Sequence, residues 1–194
     1  MPRHLHRIAA VSLLILGAGC ALVNDNLRKV GDGELYRAAQ MSRGRLGYVI
    51  TKHQIKTVVN LRGASPDEEW YQNEVAVCEE RGVAHHDLKW TMRRIPEPES
   101  LQQLVDFFEN AEKPILVHCQ AGIHRAGTAS AAYKLYKGAS PRAARRQFGI
   151  YFHDAPIGEL VDLYEKADKP FAEWVRTDYA QVYEDYVRNQ QKAE

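Results

Sequence analysis

The sequence is poor in the residues that build metal clusters and disulfide frameworks. It has three cysteines, Cys20, Cys78 and Cys119. No two of them form a CxxC pair or stand at another metal-ligand spacing, and the odd count argues against a disulfide framework. Charge of one sign is also lacking. The formal net charge is +1, without the basic excess of a nucleic-acid binder. Affinity for anions must then come from local arrangement. There is no internal repeat and no low-complexity block. A chain of 194 residues suits one well-packed domain rather than two. Neither a metal ion nor a cofactor is expected.

The first stretch is set apart from the fold. Residues 1–19 read as a signal or anchor segment. Arg3, His4, His6 and Arg7 give a basic start, and Ile8 to Leu16 is an apolar run broken by Ser12. The apolar stretch ends near Val23, short of the ~20 residues of a membrane span. Gly17-Ala18-Gly19-Cys20 resembles the end of a bacterial lipoprotein signal, although Gly17 stands where that pattern prefers Leu. The resemblance implies lipid on Cys20 and an exported protein, membrane-attached on the periplasmic side. An uncleaved anchor or an ordinary secretory signal are the alternatives. Residues 20–30 read as a polar tether, and the domain is expected over 31–194.

Within that domain strands alternate with helices. Glu34 to Arg37 reads as a strand, and Ser42 as the cap of a helix with Leu46, Val49 and Ile50 at helical spacing. Thr57 to Leu61 is a β-branched apolar run typical of a buried strand. Ser65-Pro66-Asp67-Glu68 reads as the start of a helix ending near Arg81. Val83 to Lys89 is the next strand and Glu99 to Asn110 the next helix. Ile115-Leu116-Val117 is a central strand ending on His118-Cys119. Helices follow from Thr128 and from Ser140-Pro141, and two more fill the chain from about Ile157, split at Pro170. The alternation predicts an α/β fold with a mainly parallel sheet flanked by helices. Ligands in such folds bind beyond the carboxyl ends of the strands, which is where Cys119 falls.

The segment His118-Cys119-Gln120-Ala121-Gly122-Ile123-His124-Arg125 carries the chemistry. A loop this short between a strand and a helix must curl, and its amides then converge into an anion-binding nest. Gly122 frees the backbone to curl. Arg125 offers a planar fork for two phosphate oxygens. Convergent amides, helix dipole and Arg125 together favour the thiolate of Cys119. A thiolate under a bound phosphate is placed for in-line attack, giving a phosphocysteine intermediate. The residues Gln120 to Arg125 would bind the phosphate, and His118 would orient the loop.

This segment resembles the signature of the protein tyrosine phosphatase superfamily: His-Cys, five residues, Arg. With Glu34-Leu35-Tyr36-Arg37 and Ile55 to Arg62, the likeness to small bacterial dual-specificity-type phosphatases spans about residues 31–155. It implies a cysteine-phosphatase-like fold and a phosphorylated protein or small polyanionic phosphate ester as substrate. Two departures stand out. The family usually has Ser or Thr after the arginine, and here it is Ala126. It often supplies a general-acid aspartate from the loop after the strand at 83–89. Here that loop has no acid before Glu97, which is taken as the general acid, while Glu99 reads as a helix N-terminal acid. Lys89, Arg93 and Arg94 on the same loop would favour polyanions. A catalytically weak phosphate-binding module and an inositol polyphosphate or phosphoinositide phosphatase are the competing functions. A rhodanese-like sulfurtransferase is disfavoured by the His-Cys start and the arginine. Cys78 reads as a small core residue, with a disulfide to Cys119 as the alternative. His85 and His86, adjacent on a strand, should face opposite ways.

Overall fold

The computed structural model describes residues 25–193. The signal segment and the lipidation of Cys20 lie outside the described residues. Among those described, no helix is long and apolar enough to cross a membrane.

Five short strands form one sheet: β1 (Arg28–Val30), β2 (Leu35–Ala38), β3 (Thr57–Asn60), β4 (Ala84–Asp87) and β5 (Ile115–His118). Their spatial order is β1-β2-β5-β3-β4. β2, β5, β3 and β4 run parallel, and β1 adds antiparallel to β2 at the edge. The expected α/β fold with a mostly parallel central sheet is the one observed. β5 is buried along its whole length because it has a neighbour on each side and helices on both faces.

The pairing aligns Ala38, His118, Asn60 and Asp87 across the carboxyl end of the sheet. Strand alternation then sorts the side chains into two layers. On one face Val58 and Leu116 pack with Leu46, Val49 and Ile50 of α1 (Arg43–His53) and with Val77 and Cys78 of α2 (Glu69–Glu80). On the other, Val59 and Val117 pack with Leu101 and Phe108 of α3 (Pro98–Asn110) and Ala129 and Ala132 of α4 (His124–Tyr136). His85 and His86 do split between the faces. His85 bonds to Glu74 of α2, and His86 stacks on Phe107 of α3 with ring centroids 4.5 Å apart.

Ser42 caps α1 as expected, its hydroxyl accepting from the Arg45 amide. α2 starts later than its sequence suggests. Ser65 to Glu68 closes a turn, Glu68 N–H donating to the Ser65 carbonyl, and the helix begins at Glu69. α4 starts earlier, at His124, so Arg125 lies in its first turn. The C-terminal part holds three helices after a short α5 (Pro141–Ala144): α6 (Glu159–Tyr164), α7 (Phe171–Thr177) and α8 (Tyr179–Ala193). Arg176 fastens α7 to Asp106 and Glu109 of α3 at 2.9 and 2.6 Å.

The tether is the main departure. Residues 28–30 are a strand, and Asp25 pairs with Arg45 at 2.5 Å. Polar composition hid this segment because an edge strand needs one buried side chain, here Val30.

Candidate active site

β5 delivers Cys119 to the carboxyl end of the sheet, and α4 begins five residues later. Cys119 is buried, and its amide donates to the Ala38 carbonyl at 3.4 Å. The loop between them is pinned through its carbonyls. The Gln120 carbonyl accepts from the Gln40 amide at 3.2 Å. Those of Ala121 and Gly122 accept from Asn26 Nδ2 at 3.1 and 3.0 Å. With three successive carbonyls held outward, the peptide N–H groups face the other way. Among the described residues, none of the amides from Gln120 to Ala126 donates to a backbone carbonyl, and Gly127 is the first to bond, to Ile123 at 2.9 Å. The loop amides that follow Cys119 are thus free at the positive end of α4, an arrangement suited to anions.

Gly122 makes that arrangement possible. Its φ is +67°, and a Cβ there would lie 2.6 Å from the Ala39 nitrogen and 2.7 Å from the Ala38 carbonyl carbon. The loop seats directly on the end of β2, with room for a hydrogen only.

Arg125 is braced from below. One terminal nitrogen donates to the carbonyls of Leu61 and Trp90, at 3.3 and 3.4 Å. Trp90 is itself fixed, its indole N–H donating to Ser100 Oγ at 2.7 Å. Guanidinium carries five donors, so Arg125 keeps a free fork after these contacts.

His118 points to the opposite face of the sheet. Its Nε2 bonds to Glu74 Oε1 at 2.9 Å, an oxygen that His85 Nε2 shares at the same distance. Gln40 Nε2 donates to the other oxygen at 2.6 Å. Burial alone would push the Glu74 carboxyl up. The bonds from His118 and His85 outweigh it and hold the group down at about 2. Glu74 is thus a buried anion that fixes the ring preceding the cysteine.

Glu74, Asn26 and Gln40 escaped the sequence as site residues, and so did Arg62 and Arg37. Glu74 shares a helical stripe with Val77 and Cys78, and an acid on an apolar stripe is a legible signal of buried pairing. Arg62 follows β3, lies 3.5 Å over the Trp70 ring and donates to Gln40 Oε1 at 2.9 Å. Arg37 is buried in β2, donates to the Gln147 carbonyl at 2.6 Å and leaves its Nε without a partner among the described residues. Burial pulls its pKa down to about 10, while the Cys119 charge acts the other way.

The other residues singled out in the sequence are engaged or buried. Glu97 is the N-cap residue of α3, but its exposed carboxylate is taken by Arg94 at 2.7 Å, and it makes no hydrogen bond to the 118–125 loop among the described residues. Asp87 is also engaged, accepting from Asn60 and Tyr71 at 2.7 and 2.6 Å. Cys78 belongs to the core on the α1–α2 face and Cys119 to the core on the other, so a bond between them is excluded; both thiols are free. Ala126 is fully buried. Thr128, the next hydroxyl along α4, is buried as well and has no partner among the described residues.

Residues 8–157 match the family model described as "DSP-PTPase phosphatase fused to NAD+ Kinase". The chain belongs to this family. Phosphatase is therefore the activity class of its relatives by descent as well as by motif. Human "Dual specificity protein phosphatase CDC14C" is 32% identical over 81 residues, 42% of this chain and 17% of the relative. The Schizosaccharomyces pombe "Tyrosine-protein phosphatase CDC14 homolog" is 29% identical over 87 residues, 44% of this chain and 15% of that one. The match thus spans less than a fifth of these relatives. Among solved structures, P. aeruginosa TpbA in complex with pTyr has a TM-score of 0.57 at 22% identity, covering 78% of this chain and 88% of that one. The core catalytic domain of the PP-IP phosphatase SIW14 from S. cerevisiae has a TM-score of 0.53 at 17% identity, covering 85% and 93%. At these identities the likeness is one of fold.

Proposed function

We propose that this DSP-PTPase family member hydrolyses phosphate monoesters, phosphotyrosine proteins among them, through a covalent phosphocysteine at Cys119. The observation that carries the proposal is the bonding of the Gln120, Ala121 and Gly122 carbonyls to Gln40 and Asn26, which leaves the loop amides beside Cys119 free for an anion.

In the proposed sequence, phosphate oxygens take the free amides and the open fork of Arg125. The Cys119 thiolate attacks phosphorus in line. The S–P bond forms as the ester P–O bond breaks, and the leaving oxygen takes a proton from solvent or a nearby acid. Water then attacks phosphorus, the S–P bond breaks, orthophosphate leaves and the thiolate returns. The amides and Arg125 serve both steps, because each places charge on the same equatorial oxygens. His118 holds the loop start through Glu74 and is a positioning residue.

Glu97, proposed as the proton donor, would first have to leave Arg94, which it meets at 2.7 Å. Leaving groups that depart readily, such as aryl phosphates, suit such a site. Breakdown of the intermediate proceeds without a hydroxyl at position 126, so the second step is expected to be the slower.

Two structural neighbours extend the proposal in two directions. TpbA is described with pTyr and SIW14 as a PP-IP phosphatase. Export and membrane attachment through Cys20 remain part of the proposal on the strength of the N-terminal pattern alone. The test is hydrolysis of p-nitrophenyl phosphate in the presence of a chelator, its inhibition by vanadate and its loss in Cys119→Ser. Full activity of that variant would remove Cys119 from the mechanism.

A further inference from the structure

Arg62 is the prominent charged group beside the loop that this mechanism leaves unused. Its backbone amide donates to Asn60 Oδ1 at 2.9 Å, fixing the turn after β3. Its guanidinium lies 3.5 Å over the half-buried Trp70 ring and donates to Gln40 Oε1 at 2.9 Å. The Gln40 amide group cannot turn over freely, because its Nε2 donates to the Glu74 carboxylate at 2.6 Å. Gln40 is also tied to the phosphate loop, its backbone N–H donating to the Gln120 carbonyl. One residue thus holds both the loop and Arg62. Stacking and a fixed acceptor on a rotamer-rich side chain amount to a preset cation.

The two cations stand close. Arg125 donates to the carbonyl of Leu61, the residue before Arg62. Among the described residues, neither is ion-paired with a carboxylate. Glu74, a buried anion that acts on Arg62, is already engaged by His118, His85 and Gln40. Burial first, and then the Arg125 charge, lower the pKa of Arg62, with Glu74, Glu68 and Cys119 opposing. Two like charges kept together without a counterion favour a ligand of high negative charge. A single phosphate in the loop would not need both, since the free amides and the fork of Arg125, which comes from α4, would meet its oxygens. Arg62 approaches from the α2 side, where Trp70 and Glu74 lie.

We propose that Arg62, laid on Trp70 and steadied by Gln40, forms a second anion subsite, and that the natural substrate carries a second phosphate group beside the one removed. This rests on Cys119 and its loop being a phosphate site. The class of substrate is a pyrophosphate or a vicinal bisphosphate, in which one phosphate enters the loop and its neighbour meets the Arg62 guanidinium over the Trp70 edge.

The test is calorimetric binding of orthophosphate and of inorganic pyrophosphate to the full chain carrying Cys119→Ser, which prevents turnover. One added charge-assisted contact predicts pyrophosphate binding about tenfold tighter or more. Adding Arg62→Gln should bring the ratio of the two affinities close to one, and Arg62→Lys should leave it in between, since the charge stays but the planar stack is lost. Equal affinities in the starting chain, or a ratio unchanged by Arg62→Gln, would overturn the subsite. If Arg62→Gln fails to fold, as seen by circular dichroism, the starting ratio and the Arg62→Lys ratio decide. Failure of both anions to bind, with no p-nitrophenyl phosphate hydrolysis by the wild-type chain, would instead overturn the phosphate site itself.

Discussion

Replacing Gly122 by alanine separates two costs that glycine avoids in this loop. The first is backbone strain. At φ +67° an L-residue loses ~1–2 kcal/mol relative to glycine. Gly138, at φ +80° with nothing within 4 Å of its would-be Cβ, incurs that cost alone. The second is overlap. The Gly122 Cβ would sit 2.6 Å from Ala39 N and 2.7 Å from Ala38 C, both main-chain atoms that no rotamer change can move. Relief requires the loop to lift off β2, breaking the Gln40-to-Gln120 bond and the Asn26 contacts. Overpacking of this kind adds ~1–3 kcal/mol. A displacement near 1 Å in a catalytic loop costs about 100-fold in rate. Urea unfolding and p-nitrophenyl phosphate kinetics on both variants make the comparison. Gly138→Ala should lose ~1 kcal/mol with kcat/KM unchanged, and Gly122→Ala should lose more stability and about 100-fold in kcat/KM. Equal activity of the two would refute the claim that loop seating on β2 sets the phosphate site.

Glu74→Gln should cost on the order of 3 kcal/mol at pH 7, because it removes one partner of a buried charged network; urea unfolding reads this directly. The Glu74 carboxyl is held below its ordinary value of 4.5, at about 2. Its stabilisation is therefore full above pH ~4.5 and is lost as pH falls toward 2, so the gap between wild type and variant should close over that window. A constant gap would mean that Glu74 acts through packing alone. Ala126→Ser should raise turnover of aryl phosphates by roughly tenfold or more, since a single well-placed donor is worth ~100-fold or more in other enzymes; unchanged kcat would show that breakdown of the intermediate does not need the hydroxyl.

The parts of the site that are contiguous in sequence were legible there. Ile115 to Val117, the His-Cys pair, Gly122 and Arg125 form a strand, a turn and a helix start with nothing intervening, and local propensity agrees with the fold at each position. The parts assembled by tertiary contact were not. Asn26 reaches Ala121 and Gly122 across more than ninety residues, and a polar tether gives no hint of it. Glu74 and Gln40 carry the support of the loop from α2 and from the turn after β2. Arg62 and Trp70 come from either side of the turn at 65–68. The C-terminal part looked like two helices because Pro170 is a visible break. The second break, at Asp178, has no proline or glycine to mark it; Asp178 caps α7 and binds Lys169 at 2.7 Å. Glu97 stands on the loop where the family usually has its acid, and its pairing with Arg94 shows only in the fold.

The central claim is that Cys119 becomes covalently phosphorylated. Rapid acid quenching during turnover of an aryl phosphate, followed by digestion and mass spectrometry, tests it directly. One phosphate is expected on the peptide containing Cys119, accumulating because the step that follows is slow, and none in Cys119→Ser. Phosphate found on His118 or His124, or turnover that persists in Cys119→Ser, would contradict it.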